Sequence, residues 1–138
     1  MSQGNASAAI RLTVQRVTQT VEREMASRAY RASNELRNAA VCELTGGRSA
    51  PGQSPGSDSG IFRLSWMPSV RMESGGSGKR AVSYIESEVI VSSRRRSWNL
   101  GELLEDGTRK MAARPHHDKI RERAMPRVTA IYSEPFNL

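Results

Sequence analysis

Apolar side chains recur every three or four positions along the first third of the chain. The series comprises Ile10, Val14, Val17, Val21, Met25, Ala29, Ala32, Leu36 and Ala40. This spacing places the side chains on one face of an α-helix, because a helix completes a turn about every 3.6 residues. Arginine and glutamate occupy many of the positions between them. The pattern predicts a long amphipathic helix over residues 7–44, after a flexible N-terminus over residues 1–6.

Glycine, proline and serine dominate the segment that follows the predicted helix. Gly46 and Gly47 are expected to end the helix, because glycine readily adopts the left-handed conformation of a helix cap. The sequence then continues as "GGRSAPGQSPGSDSG". Such a composition buries little surface and is typical of a loop. We therefore expect an extended loop or arm over residues 45–60.

A two-residue alternation of apolar and polar positions begins after this loop. Phe62, Leu64 and Trp66 alternate with polar residues, and Val70 and Met72 continue the alternation. This period is that of a half-buried strand. The glycine-rich "SGGSGK" is typical of a hairpin turn. It leads to further strand positions, so that we expect an antiparallel meander that includes Val82, Tyr84, Val89 and Val91.

The last third of the chain returns to a helical pattern. The segment "WNLGELLEDG" predicts a short helix with Gly107 as its cap. A final helix is expected from Pro115 to about Ala124, because proline suits the first position of a helix. Pro126 should end or kink it, which leaves residues 126–138 as a C-terminal tail. The fold class is therefore α+β, in which a long N-terminal helix packs on an antiparallel sheet, with a short C-terminal helix and a long Gly/Pro-rich loop.

The composition suggests that neighbouring molecules complete the fold. The 138 residues fit one domain, but only 37% of them are hydrophobic and 5% aromatic, which is low for a self-sufficient core. The formal charge of +7 comes mainly from arginine and implies an anionic partner or an acidic neighbouring subunit. Arg94, Arg95 and Arg96 form the densest positive cluster. This cluster suits phosphate or an acidic protein, and a solvated strand end is an equally good interpretation.

Several residues resemble reactive groups without the context that their chemistry needs. Cys42 is the single cysteine, so we expect no internal disulfide, and a small buried residue is the favoured interpretation. "GQSPG" around Ser54 lacks the strand and helix that flank a nucleophilic serine, and "GGSGKR" departs from the phosphate-loop pattern. His116 and His117 are adjacent, so in a regular helix or strand they point in different directions and do not readily share a metal. We therefore predict no catalytic, cofactor or metal site.

No segment approaches the roughly 20 apolar residues that span a bilayer, and the start of the chain lacks the apolar core of a signal peptide. We therefore expect a soluble protein that is made in the cytoplasm and does not contact a membrane.

Two separated blocks resemble one family of viral structural proteins. "APGQSPGSDSGIFRLSW" is similar to the segment of phage neck or tail-completion proteins in which a proline and glycine-rich stretch leads into Ser/Thr-Gly, a basic residue and a strand. "LLEDGTRKMAARPHHDKIRERA" resembles the second signature of that family, in which an acidic residue, Gly-Thr or Gly-His and a basic linker precede Ala-Arg-Pro-His or Ala-Arg-Pro-Phe at the last helix. In this chain Ile61 and Phe62 separate Gly60 from Arg63, and His117 stands where an apolar residue is more common.

This resemblance implies a non-enzymatic protein of the head-tail junction of a long-tailed double-stranded DNA phage. It implies a homo-oligomeric ring, hexameric or dodecameric, in the virion neck. Its neighbours would be other neck proteins such as an adaptor, a stopper or a tail terminator, with genomic DNA in the lumen. The blocks assign structural or assembly roles to Gly60, Arg63, Trp66, Gly107, Thr108, Arg114, Pro115 and His116.

Two other classes of function stay open on the sequence. The arginines would also suit a stand-alone nucleic-acid-binding protein, although the scarcity of aromatic residues disfavours single-strand binding. An enzyme centred on His116 and His117 is the weakest of the three hypotheses.

Overall fold

The computed structural model describes residues 3–44, 50–56, 60–76, 78–93, 96–109 and 111–136. It is an α+β fold, as predicted, in which a long N-terminal helix packs against a two-stranded antiparallel sheet and a C-terminal helix. The elements in chain order are α1 (Gln3–Glu43), α2 (Ile61–Leu64), β1 (Met67–Gly75), β2 (Gly78–Glu86), β3 (Ile90–Ser93), β4 (Arg96–Asn99), α3 (Leu100–Asp106) and α4 (His117–Tyr132).

The long helix α1 has two halves with different surroundings. Its C-terminal half carries buried side chains, which include Ala29, Ala32, Ala39 and Ala40. In its N-terminal half every residue from 4 to 19 is exposed. The helix begins at Gln3, so residues 3–6 are helical rather than flexible. The apolar face that the sequence predicts is therefore real, but the rest of the chain covers only its second half.

Helix α4 packs against the second half of α1 and closes a small core. Ile120 and Ala124 of α4 join Ala39, Ala40, Leu44 and Trp66 in one buried cluster. Because alanine side chains are small, the backbones of two such helices can approach closely. Ion pairs flank the contact, with Glu43 bound to Arg123 at 3.0 Å and Glu35 bound to Arg127 at 3.3 Å. Residues later in α1 pair with residues earlier in α4, so the two helices are antiparallel.

The predicted hairpin forms between β1 and β2. Gly75 pairs with Gly78 across the turn, and the antiparallel register continues to Met67 opposite Glu86. The Ser83 hydroxyl of β2 donates a hydrogen bond of 2.6 Å to the Ala29 carbonyl of α1. This contact fixes the sheet against the long helix at the level where α1 first becomes buried.

The prediction of a strand through Phe62, Leu64 and Trp66 is wrong. This part of the chain contains the one-turn helix α2. Gly60 begins the helix in a left-handed conformation with φ of 81°, and the Ser65 hydroxyl binds the Phe62 carbonyl at 2.6 Å. Residues four apart lie on the same side of a helical turn. Ser65 keeps a right-handed helical backbone after α2, so Trp66 lies about one turn beyond Phe62 and their ring centroids are 5.5 Å apart.

The strands do not form the single meander that the sequence predicts. Strands β3 and β4 pair with each other in a separate two-stranded sheet, with Val91 opposite Trp98. The chain leaves β2 through residues 87–89, where the Asn99 side chain donates to the Ser87 carbonyl at 2.8 Å. The Leu100 amide donates to the Val89 carbonyl at 2.8 Å. These bonds join the segment after β2 to the junction between β4 and α3.

The last helix continues well beyond the end that was predicted for it. Pro126 lies inside α4, so a C-terminal tail that begins at residue 126 is wrong. Proline removes one helical hydrogen bond, to the carbonyl of Glu122. Both residues are exposed, so water can bind that carbonyl. The half-buried Val128, which packs against the core, helps to hold the helix beyond the proline.

The segment that follows α4 is clamped onto α1 by two arginines. Arg28, which is only 3% exposed, donates to the carbonyls of Glu134 and Pro135. Its guanidinium also lies 4.1 Å from the centre of the Phe136 ring. Arg31 binds the Glu134 carboxylate through two hydrogen bonds of 3.0 and 2.8 Å. The C-terminal residues 134–136 are therefore part of the folded body.

We expect Arg28→Ala to destabilise the protein more than Arg31→Ala. Removing Arg28 leaves two carbonyls without charge-assisted hydrogen bonds and should lower the free energy of unfolding by about 2 kcal/mol. Arg31 and Glu134 form an exposed pair, which typically contributes less than about 1 kcal/mol. Urea denaturation followed by circular dichroism measures both changes. Equal losses in the two variants would contradict the clamp.

Candidate functional site

A tight turn between α3 and α4 builds the most constrained part of the chain. Gly107 ends α3 with φ of 77° and ψ of 180°, a conformation that is essentially restricted to glycine. Its amide donates to the Leu103 carbonyl at 2.8 Å. A Cβ atom at this position would lie 2.7 Å from the Ala113 nitrogen and 2.9 Å from the Met111 carbonyl oxygen. The turn that the sequence predicts at Gly107 therefore requires glycine for two separate reasons.

Thr108 closes the loop that follows. Its amide donates to the Met111 carbonyl at 2.8 Å, and its hydroxyl accepts from the Met111 amide at 3.1 Å. The Arg114 amide then donates to the Leu104 carbonyl at 2.6 Å. These bonds bring the chain back beside α3 immediately before α4 begins.

Glu105 caps the N-terminus of α4 from across this turn. Its Oε2 atom accepts hydrogen bonds from the backbone amides of His116 at 2.7 Å and His117 at 3.2 Å. The first amides of a helix have no partner within the helix, and a carboxylate also suits its positive end. Pro115 precedes the capping residue His116, so the prediction that proline occupies the first helical position is wrong.

The two histidines converge on the same carboxylate. The Nδ1 atoms of His116 and His117 lie 3.2 and 3.9 Å from Glu105 Oε2, and their ring centroids are 4.5 Å apart. The expectation that adjacent histidines point in different directions is therefore wrong. It assumed one regular element, whereas His116 has φ of −141° and only His117 belongs to the helix.

Aromatic rings enclose His116, which is fully buried. The rings of Phe62 and Trp66 meet it edge-on at centroid distances of 5.7 and 5.9 Å. His116 Nδ1 also lies 3.1 Å from the Arg114 carbonyl oxygen. His117 is about half exposed. The pair therefore has one face in the core and one face in solvent.

Burial and hydrogen bonding shift the ionisation of this cluster. Burial lowers the pKa of His116, and this outweighs the opposing effects of the Arg114 carbonyl and the Glu105 charge. Burial by itself would raise the pKa of Glu105, but the two backbone amides and the adjacent histidines outweigh it, so the pKa lies below its usual range. At neutral pH the cluster therefore contains a carboxylate and a neutral buried imidazole.

The other predicted structural residues contact different parts of the body. Trp66 belongs to the core beside His116, and Gly60 starts α2. The Arg63 Nε atom donates to the Val41 carbonyl of α1 at 3.1 Å. Arg96 is exposed at the start of β4, whereas Arg94 and Arg95 lie outside the described residues.

Two smaller sequence predictions have opposite outcomes. Cys42 is exposed, so its expected burial is wrong, because its position on α1 faces away from α4 and the sheet. Ser54 lies in a loop, as expected, and its hydroxyl donates to the Glu43 carboxylate at 2.7 Å. The Gly46 and Gly47 end of α1 falls outside the described residues.

Sequence reasoning missed Glu105. It stands eleven positions before His116, a separation from which no periodicity predicts contact. The signal that could have identified Glu105 is its position two residues before the predicted turn at Gly107. A chain that reverses direction at Gly107 brings the start of the next helix back beside Glu105. Among the residues that the structure describes, Glu105, His116 and His117 form the group whose ligand atoms lie close enough to hold a metal ion.

Comparisons with protein-family models, with curated proteins and with solved structures find no match for this chain. Within the described ranges, every helix is too short or too polar to cross a membrane.

We expect Gly107→Ala to destabilise the protein much more than Gly60→Ala. Both glycines have positive φ, but a Cβ at Gly60 meets nothing within 4 Å, whereas at Gly107 it collides with backbone. The change at Gly60 should cost about 1 kcal/mol and the change at Gly107 more than about 3 kcal/mol. Thermal melting of both variants measures the difference. Similar melting temperatures would refute the assignment of the turn.

The stability of the protein should fall as the pH decreases below about 6.5, the ordinary pKa of histidine. Because the pKa of His116 is lowered in the folded state, the unfolded chain binds a proton first, and the free energy of unfolding falls. Glu105, whose folded pKa is also lowered, adds a loss in the same direction below about pH 4.5.

Urea unfolding in metal-free buffer at about pH 7.5 and 5.5 measures this slope. His116→Gln should flatten the pH dependence, and the half-exposed His117→Gln should retain it. An unchanged slope in the His116 variant would contradict the assignment to that residue.

Proposed function

We propose that this protein is a structural, non-enzymatic component of the neck of a long-tailed double-stranded DNA phage. In this proposal it is made in the host cytoplasm and forms a homo-oligomeric ring in the virion. The ring helps to join the tail to the DNA-filled head, in contact with other neck proteins. The two sequence blocks around Gly60 and Gly107 suggest this family, and the architecture of α1 supports an assembly role.

The uncovered half of α1 is the observation that carries the proposal. Residues 4–19 are all exposed, and as a helix they extend about 24 Å. A helix of this length is marginal by itself in water, because most helical stability in proteins comes from packing an apolar face. The segment therefore needs a neighbour, which a ring subunit has on each side.

This exposed segment carries a narrow apolar stripe. Ile10, Val14 and Val17 are 66%, 58% and 44% exposed. At 100° per residue they fall within roughly 60° of one another around the helix axis, and Val21 continues the line toward the body. A continuous apolar line from the free end to the core suits burial against a protein neighbour.

The small core of the protein is consistent with a subunit that is held between neighbouring subunits. Its buried core consists largely of alanines with Leu44, Trp66 and Ile120. Several of its arginines are already paired with glutamates, as in the contacts of Glu73 with Arg71 and Arg80. The charged surface is therefore partly organised within the chain, and the exposed half of α1 is the surface most in need of a partner.

Stand-alone nucleic-acid binding is the second candidate, and the charge of the exposed half of α1 favours it. Arg11 and Arg16 lie in this segment, and no carboxylate occurs before Glu22. Such a helix attracts phosphate by counterion release. An acidic protein neighbour satisfies the same charges. A stoichiometric, salt-sensitive complex of the purified protein with DNA would favour this alternative.

Complementation of a gene deletion tests the neck proposal. Without the protein, lysates should contain DNA-filled heads and separate tails, because joining fails after both are complete. The wild-type gene should restore joined particles. Val14→Asp combined with Val17→Asp should not restore them, because two charges interrupt the stripe without affecting the core.

Gln15→Asp combined with Gln19→Asp is the matched control, because it adds the same charge to the opposite side of the helix. Electron microscopy of lysates counts joined particles, and thermal melting verifies that both variants fold. Normal numbers of joined particles in the deletion would overturn the neck proposal. Full complementation by the valine variant would overturn the role of the stripe.

A further inference from the structure

The cluster beneath the Gly107 turn gathers three metal-binding side chains from two elements. Glu105 comes from the last turn of α3, and His116 and His117 come from the start of α4. One ligand atom from each residue lies within 4.8 Å of the others. The hydrogen bonds of the turn hold α3 against α4, so they also fix the positions of these three residues relative to one another.

The spacing of these atoms fits a small transition-metal ion. Zinc binds nitrogen and carboxylate oxygen at about 2.0–2.2 Å, so ligand atoms of a tetrahedral site lie about 3.3–3.5 Å apart. The two nitrogen-to-oxygen distances here are 3.2 and 3.9 Å. The ligand atoms lie within 4.8 Å of one another, so the half-exposed His117 side chain has to rotate to complete a tetrahedral arrangement. Two histidines with one carboxylate are also a ligand set that zinc proteins use.

In the metal-free protein the site already holds a hydrogen-bond donor between two oxygens. His116 Nδ1 faces two oxygens, the Glu105 carboxylate at 3.2 Å and the Arg114 carbonyl at 3.1 Å. That arrangement requires a proton on Nδ1, because an unprotonated nitrogen would face two acceptors. A divalent cation binds Nδ1 of the neutral ring when the single ring proton moves to Nε2, and the same two oxygens then face the cation, with the Arg114 carbonyl as a further ligand atom.

We propose that Glu105, His116 and His117 bind one divalent transition-metal ion of the zinc class. The ion cross-links the end of α3 to the start of α4 and fixes the turn between them. Imidazole nitrogens select zinc, cobalt or nickel over magnesium and calcium, which prefer oxygen ligands. His116 has no exposed surface, so the ion enters from the solvent side, past His117 and Glu105.

Zinc titration of the tag-free, full-length protein tests this proposal. The protein is first stripped with a chelator and then titrated in competition with a chromophoric zinc indicator. We expect one zinc ion per chain and a melting temperature that rises with zinc concentration but not with magnesium. Cobalt should bind with the visible absorption of a site that contains nitrogen ligands.

His117→Ala and Glu105→Gln should each weaken zinc binding by more than about tenfold, since losing even an outer hydrogen-bond partner of a ligand costs about that much. His117 is half exposed, and the amide oxygen of glutamine can still cap α4, so both variants should fold. Glu122→Gln, on the exposed face of α4, is the matched control and should retain wild-type affinity.

Circular dichroism of the metal-free proteins verifies the fold of each variant. No stoichiometric zinc binding to the folded wild type would overturn the proposal. Equal affinity in the wild type and in both ligand variants would also overturn it, because it would place the ion elsewhere on the surface.

Discussion

The antiparallel contact between α1 and α4 is the interaction on which the rest of the structure depends. Its alanines let the two helices approach closely, and Trp66 and Leu44 close the end of the contact. The hairpin packs on α1, and the C-terminal residues after α4 return to Arg28. The first hairpin and the C-terminal segment are therefore positioned by α1, whereas β3 and β4 contact each other and α3. This core covers the C-terminal half of α1, whereas residues 4–19 of the same helix are exposed.

That division of α1 is the feature on which the proposed assembly role depends. One half of the helix organises the body, whereas the other half extends from it with an exposed apolar stripe and only positive charge. An exposed apolar patch bordered by polar residues is typical of a protein interaction site. The same helix thus serves folding at one end and is available for association at the other.

The turn after α3 also has two roles, one in the fold and one in the proposed metal site. The backbone at Gly107 and Thr108 forces the chain to reverse, and the reversal places the Glu105 carboxylate at the N-terminus of α4. This cap satisfies two helix amides and also draws the histidines together. A purely structural device, a carboxylate cap, therefore brings together the three side chains of the proposed metal site.

The sequence by itself determined the elements that depend on short-range patterns of residues. The period of apolar residues predicted α1, the glycines predicted the β1–β2 hairpin, and Gly107 predicted the turn, because backbone conformation at these positions depends mainly on neighbouring residues. The alternation at Phe62 and Trp66 wrongly predicted a strand, since a strand and a helical turn both place residues four apart on one face. The tertiary structure alone decided that Pro126 lies within α4, where exposure lets water satisfy the freed carbonyl. It also decided that Glu105 meets His116 and His117, because contacts across a chain reversal depend on packing that no local pattern records.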